Sequence, residues 1–151
     1  MSSLPPPTSM EARLRDASRS GVFFAQPTAA ARAARVADQA GLLLIGLDLK
    51  DARDRASLFQ AFADTFGFPA TFGHNLDALG DCLGDLSWIP AGGYLVHLSG
   101  CAKPVEHCKD DFNAIVAVLD EAAAEWRARG TPFWVLIDQP NTLARPFMAS
   151  A

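Results

Sequence analysis

Apolar residues along this chain follow two alternating rhythms. Short, nearly continuous apolar runs at 22–25, 42–49, 93–98 and 133–138 have the length and composition of β-strands. The run at 42–49 is interrupted only by Gly46 and reads as a strand buried on both faces. Between the runs, apolar residues recur every three or four positions, the spacing of one helix face. A short helix is predicted within 10–20. An alanine-rich helix follows over 28–40, with Thr28 as N-cap and Gly41 just past its end. Asp54 precedes a helix over 55–66 whose stripe is Leu58, Phe59, Phe62 and Phe66. Gly67 stops that helix and Pro69 prevents its resumption. After a loop at 70–74, another helix spans 75–86. Trp88, Pro90, Gly92 and Gly93 then make a turn region. The stretch 105–129 contains a long helix with Phe112, Ile115, Val116, Leu119 and Trp126 on one face, closed by Gly130. Residues 1–9 read as disordered and 139–151 as a tail.

Strands that alternate with amphipathic helices define an α/β domain with a mostly parallel sheet. The 151 residues suit a single domain, and half of them are hydrophobic, enough for a substantial core. No apolar run approaches the ~20 residues that span a membrane. The Ser/Pro-rich start lacks the basic and apolar segments of a secretory signal, so a cytoplasmic location is the default expectation.

The helix over 75–86 has two natures. Leu76, Leu79, Leu83 and Leu86 form its apolar face, while Asp77, Asp81 and Asp85 recur every four residues on another. Like charges at this spacing repel by a few tenths of a kcal/mol per pair, and the segment contains no lysine or arginine to relieve them. Gly80 and Gly84 lie beside the ridge, and each glycine inside a helix costs about 1 kcal/mol relative to alanine. Such a helix is poorly optimised for stability and well suited to the approach of something positively charged.

Charge along the whole chain agrees. Residues 1–60 hold eight basic and six acidic side chains, 61–125 hold two and ten, and 126–151 hold three and one. An acidic middle lacks the basic footprint that nucleic acid needs, so a basic protein surface is the expected complement.

The run Phe72-Gly73-His74-Asn75-Leu76-Asp77-Ala78-Leu79-Gly80-Asp81-Cys82-Leu83 resembles the signature of the barstar family of intracellular ribonuclease inhibitors. The likeness extends over roughly 41–138. It takes in the strand at 42–49, the Leu58-Phe59-x-x-Phe62 stripe, Gly67-Phe68-Pro69, Trp88 and the last two strands. It implies a small three-stranded parallel sheet packed against helices, with the extension at 10–40 adding one helix and one edge strand. It also implies a function: occluding the basic active site of a cognate ribonuclease, one to one, without cofactor or catalysis. Asp81 stands where the family places its deepest-inserted carboxylate, and Asp77 matches a second contact. Gly73 and Asn75 match the loop and helix start beside the partner, and Asp85, Phe72, His74 and Gly80 complete the candidate surface. Some positions depart from the family pattern. Thr71 and Phe72 replace two tyrosines, His74 a glutamate, and Gly80 a tryptophan. Binding to barnase itself is therefore not implied, and the same scaffold also suits a regulatory module for another basic partner.

Other chemistry finds little support. Cys82, Cys101 and Cys108 are too few and odd in number for a disulfide framework, and Cys82 reads as a buried small hydrophobe. With His97 and His107 nearby, Cys101 and Cys108 still match no common zinc spacing. His97, within a strand, reads as structural and His107 as a surface residue. A hydrolase built on His74, Asp77 and Asp81 lacks a third partner, and no phosphate loop, nucleophile elbow or metalloprotease motif occurs.

Overall fold

A computed structural model describes residues 9–147 of the chain. Strands β1 (Val22–Phe24), β2 (Leu43–Asp48), β3 (Tyr94–Ser99), β4 (Phe133–Ile137) and β5 (Arg145–Pro146) form one sheet in the order β2-β3-β4-β1-β5, and every pair is parallel. Parallel neighbours need crossover connections. Helices α1 (Met10–Arg15), α2 (Pro27–Val36), α3 (Arg55–Phe66), α4 (Leu76–Asp85), α5 (Ala102–His107) and α6 (Lys109–Ala128) run between and around the strands. This is the expected α/β architecture, a parallel sheet packed against helices.

The sheet is larger than three strands. β1 pairs with β4 on one side and with β5 on the other, so it is an inner strand and not an added edge. The C-terminal segment supplies β5 and is more than a tail. Of the segment expected to be disordered, residues 1–8 lie outside the described residues. Ser9 is the N-cap of α1, its hydroxyl accepting the Ala12 N–H at 3.0 Å.

Alternation along the strands separates two cores. One face presents Ile45, Leu47, Val96, Leu98, Val135 and Ile137 to α3, α4 and α6. The other presents Phe23, Leu95, Trp134 and Leu136 to α1 and α2. Trp134 is fully buried there. Its indole N–H donates to Leu14 O at 2.9 Å, and its ring lies against Phe23 and Phe147. Besides strand pairing through β1, the N-terminal extension and the residue after β5 thus meet on one tryptophan.

Three expectations shift. α2 begins at Pro27, the favoured first position for proline, and Gln26 is its N-cap, so Thr28 does not cap it; the helix ends at Val36, and turns occupy 37–40. β2 is not buried on both faces. It is the outermost strand, and Leu43 and Leu44 are 40% and 44% exposed because no element among the described residues covers that edge. The stretch 105–129 is divided at Cys108, whose φ of −150° and ψ of 56° separate α5 from α6. Asp110 and Asp111 then favour a new helix N-terminus by opposing its dipole.

α3 forms as read. Asp54 accepts the Ser57 N–H at 2.8 Å while the Ser57 hydroxyl accepts the Asp54 N–H at 3.1 Å, a reciprocal cap, and Gly67 closes the helix at φ 68°. Its four stripe residues are all buried.

Candidate functional site

Both ends of α4 are fixed. Asn75 is the N-cap: its Oδ1 accepts the Ala78 N–H at 2.8 Å, and its Nδ2 donates to Gly73 O at 3.2 Å. At the other end Leu86 takes a left-handed conformation, φ 49°, with its side chain fully buried. Leu79 and Leu83 are also fully buried, and the Trp126 indole N–H donates to Leu83 O at 2.8 Å. These contacts set the rotation of α4 about its axis. Asp77, Asp81 and Asp85 consequently face solvent.

Helix α6 runs alongside and adds two more carboxylates. Glu121 and Glu125 line, with the three aspartates, an open cleft of about 460 Å³ between α4 and α6. Gly84 gives the Glu125 carboxylate room beside α4, while Gly80 has space to spare. A Cβ on Gly84 would lie 3.0 Å from Glu125 Oε1, and one on Gly80 would lie 3.7 Å from Val118 Cγ1. No ion pair among the described residues involves Asp77, Asp81 or Asp85. Arg129 marks one end of the cleft. Its Nη2 donates to Gly84 O at 2.9 Å and lies 3.8 Å from Glu125 Oε1, while its guanidinium covers Trp126 at 4.2 Å. The negative field is felt by Cys82, whose thiol pKa is raised first by burial and then by Asp81 and Asp85. Cys82 is only half-buried, packed at the margin of the core and not within it.

The loop before α4 divides into a buried and an exposed part. Phe72 is 8% exposed, packed against Phe59 and Phe68, so it supports the loop from below and is not a surface anchor. Gly73, His74 and Asn75 are exposed. A Cβ on Gly73 would sit 2.9 Å from Asn75 Nδ2, so the missing side chain makes room for the cap. His74 adopts φ 51°, a conformation costly for a non-glycine residue. Its Nδ1 lies 3.2 Å from Phe72 O, its Nε2 lies 3.1 Å from Gln60 Oε1, and its ring covers Phe72 at 4.8 Å. The loop is thereby braced against α3.

The remaining candidates are elsewhere. Trp88 donates its indole N–H to Phe66 O at 2.8 Å and ties off α3. His97 is half-buried on the α1/α2 face of β3, and His107 is exposed beside Glu106 at 3.1 Å. Cys101 is fully buried, and burial pushes its thiol pKa far up. Among the described residues no group of three or more His, Cys, Asp or Glu is placed to hold a metal ion. No described helix is long and apolar enough to cross a membrane.

Glu121, Glu125 and Arg129 are the site residues that sequence reasoning missed. The two glutamates repeat the four-residue spacing of the aspartates, but only packing brings the two rows face to face.

Fold and site together define a parallel α/β domain that presents an acidic cleft between two helices. Residues 42–138, well over half of the chain, match the family model described as barstar, the barnase inhibitor, and the chain belongs to the barstar family. The family is thus one of ribonuclease-inhibitor type. Comparison with curated proteins gives no match.

Proposed function

We propose that this protein inhibits a cognate ribonuclease by seating the α4–α6 cleft over that enzyme's basic active site, one chain to one enzyme. The observation that carries this reading is the row of Asp77, Asp81 and Asp85 facing Glu121 and Glu125, with the aspartates in no ion pair among the described residues. A ribonuclease cleft is lined with cations that hold phosphates. Carboxylates on a fixed helix occupy those phosphate positions and pair with arginine or lysine through short, directional bonds. Complementary charge also accelerates encounter. Asp81, midway along the ridge, is the central contact, with Asp77 and Asp85 flanking it. Gly73, His74 and Asn75 form the exposed shoulder beside it.

Specificity rests on charge and on the shape of the cleft. Gly80 leaves the floor open where an aromatic side chain would fill it, so a long basic side chain of the partner enters between α4 and α6. Phe72 and Trp88 are engaged in the protein's own structure and offer no aromatic anchor.

The test is capture from the source cell's lysate and secreted fraction, with wild type beside Asp77→Ala/Asp81→Ala, followed by a ribonuclease assay on what is retained. A basic ribonuclease held and silenced by wild type and released by the variant is the expected result. A ribonuclease held equally by both would place the site on another surface. A retained basic protein without ribonuclease activity would favour the regulatory module.

A further inference from the structure

The two edges of the sheet are finished differently. β5 consists of Arg145 and Pro146, a very short edge guarded by a charge and by a residue without an N–H. β2 is six residues long, Leu-Leu-Ile-Gly-Leu-Asp, with no lysine or proline in it, and its register with β3 is unbroken. Leu43 N–H donates to Gly93 O at 2.9 Å and Leu49 N–H to Ser99 O at 2.8 Å, so the odd-numbered residues bond inward. The N–H and C=O of Leu44, Gly46 and Asp48 therefore point out of the sheet edge. Leu44 pairs in register with Leu95, on the α1/α2 face, yet is 44% exposed because those helices stop short of β2. Two residues along the same face, a Cβ on Gly46 would meet nothing within 4 Å.

We propose that β2 pairs antiparallel with β2 of a second copy of this chain, about a two-fold axis at Ile45. The register follows from the strand itself. Centring the axis on Ile45 sets Leu44 of each copy opposite Gly46 of the other, so each leucine side chain lies over the other's empty glycine position. Leu44 and Gly46 then exchange both backbone hydrogen bonds across the interface, and the axis repeats the pair. Sliding by two residues one way sets Leu44 against Leu44 but moves the partners of Gly46 and Asp48 to Leu42 and Ala40, before the strand begins; the other way it sets Leu44 against Asp48. Sliding by one sets outward-pointing groups against inward-pointing ones and loses the ladder. Projection and recess lie on one strand, two residues apart, and an isologous contact joins them reciprocally. A single short strand pair buries little surface, below the ~1,200 Å² of stable interfaces, so the dimer is weak and depends on concentration. The acidic cleft belongs to the opposite face of the sheet, and the pairing does not depend on the inhibitor reading.

Sedimentation equilibrium of the full chain over a concentration series tests this. Wild type should associate reversibly to twice the mass of one chain, and Leu44→Lys should weaken association about tenfold or more, with an unchanged thermal midpoint. Leu44→Gly and Gly46→Leu should each weaken it alone, whereas the double variant, which exchanges projection and recess, should restore it. A wild type that stays monomeric throughout would overturn the proposal, as would association indifferent to Leu44→Lys or a double variant that remains monomeric.

Discussion

Helices α3 and α4 are consecutive, similar in length and packed on the same face of the sheet, yet they are finished in opposite ways. α3 has a reciprocal N-terminal cap, a glycine in the left-handed position that ends it, and two stacked phenylalanines, Phe62 and Phe66, on its buried side. α4 has two glycines in its interior, three like charges on one face, and a leucine, not a glycine, in the left-handed position at its end. Each feature of α3 adds stability, and most features of α4 subtract from it. α4 is held by its neighbours, through Trp126 and the buried leucines, and not by its own composition; under the proposed function that composition serves a partner approaching from outside. Local departures from good helix design are expected at sites of this kind.

The largest test of the contrast lies in α3. Phe62 is fully buried, and Phe62→Ala should lower stability by about 3–5 kcal/mol in urea unfolding, with partner affinity per folded molecule unchanged. Asp81→Ala should do the reverse. Binding should weaken by about 2 kcal/mol or more in calorimetric titration, and stability should move by no more than about 0.5 kcal/mol. A large stability loss in Asp81→Ala would make the ridge structural.

Asn75→Ala removes the cap that starts α4 and should cost about 1 kcal/mol of stability. Binding should fall as well, since the cap sets where the ridge begins. Gly80→Ala should raise the thermal midpoint, by up to about 1 kcal/mol of stability, because the added methyl meets Val118 at an ordinary contact distance. The same methyl narrows the cleft floor, so partner affinity should drop as stability rises.

The smallest effect is a pH dependence at the α3 cap. The Asp54 pKa is lowered, chiefly by the Ser57 backbone N–H and then by the Ser57 hydroxyl. A carboxylate with a lowered pKa contributes stability above its unfolded value, and that contribution is lost as pH falls through the folded one. Asp54→Asn keeps a capping oxygen but cannot ionise, so it should lower stability slightly at neutral pH and flatten the acid limb below about pH 4. An acid limb identical to wild type would remove Asp54 from the account.

Much of the fold was legible in order and type of element, for a physical reason. Leu58, Phe59, Phe62 and Phe66 repeat at helical spacing between a cap and a glycine, and those signals are local. The strands at 94–99 and 133–137 are inner strands whose continuous apolar runs match burial on both faces. The misreadings occur where the local pattern is ambiguous. The run 42–49 looks like an inner strand, and only the strand order makes it an edge. The segment around Arg145–Pro146 carries no strand pattern at all and becomes one by pairing with β1.

The candidate site divides in the same way. Asp77, Asp81 and Asp85 are visible in the sequence because a four-residue repeat puts them on one helix face whatever the fold. Phe72 was legible as part of the signature but not as a core residue, since its burial depends on Phe59 and Phe68 from other segments.

The sequence by itself determined the kinds of elements, the acidic ridge and the family likeness, because spacing, caps and charge act over a few residues. Tertiary structure alone decided that α6 turns Glu121 and Glu125 toward that ridge, that Trp134 brings Leu14 and Phe147 onto one face of the sheet, and that β2 is the outermost described strand. Each of these depends on contacts between residues distant in the chain, and their geometry is set only when the two cores close together.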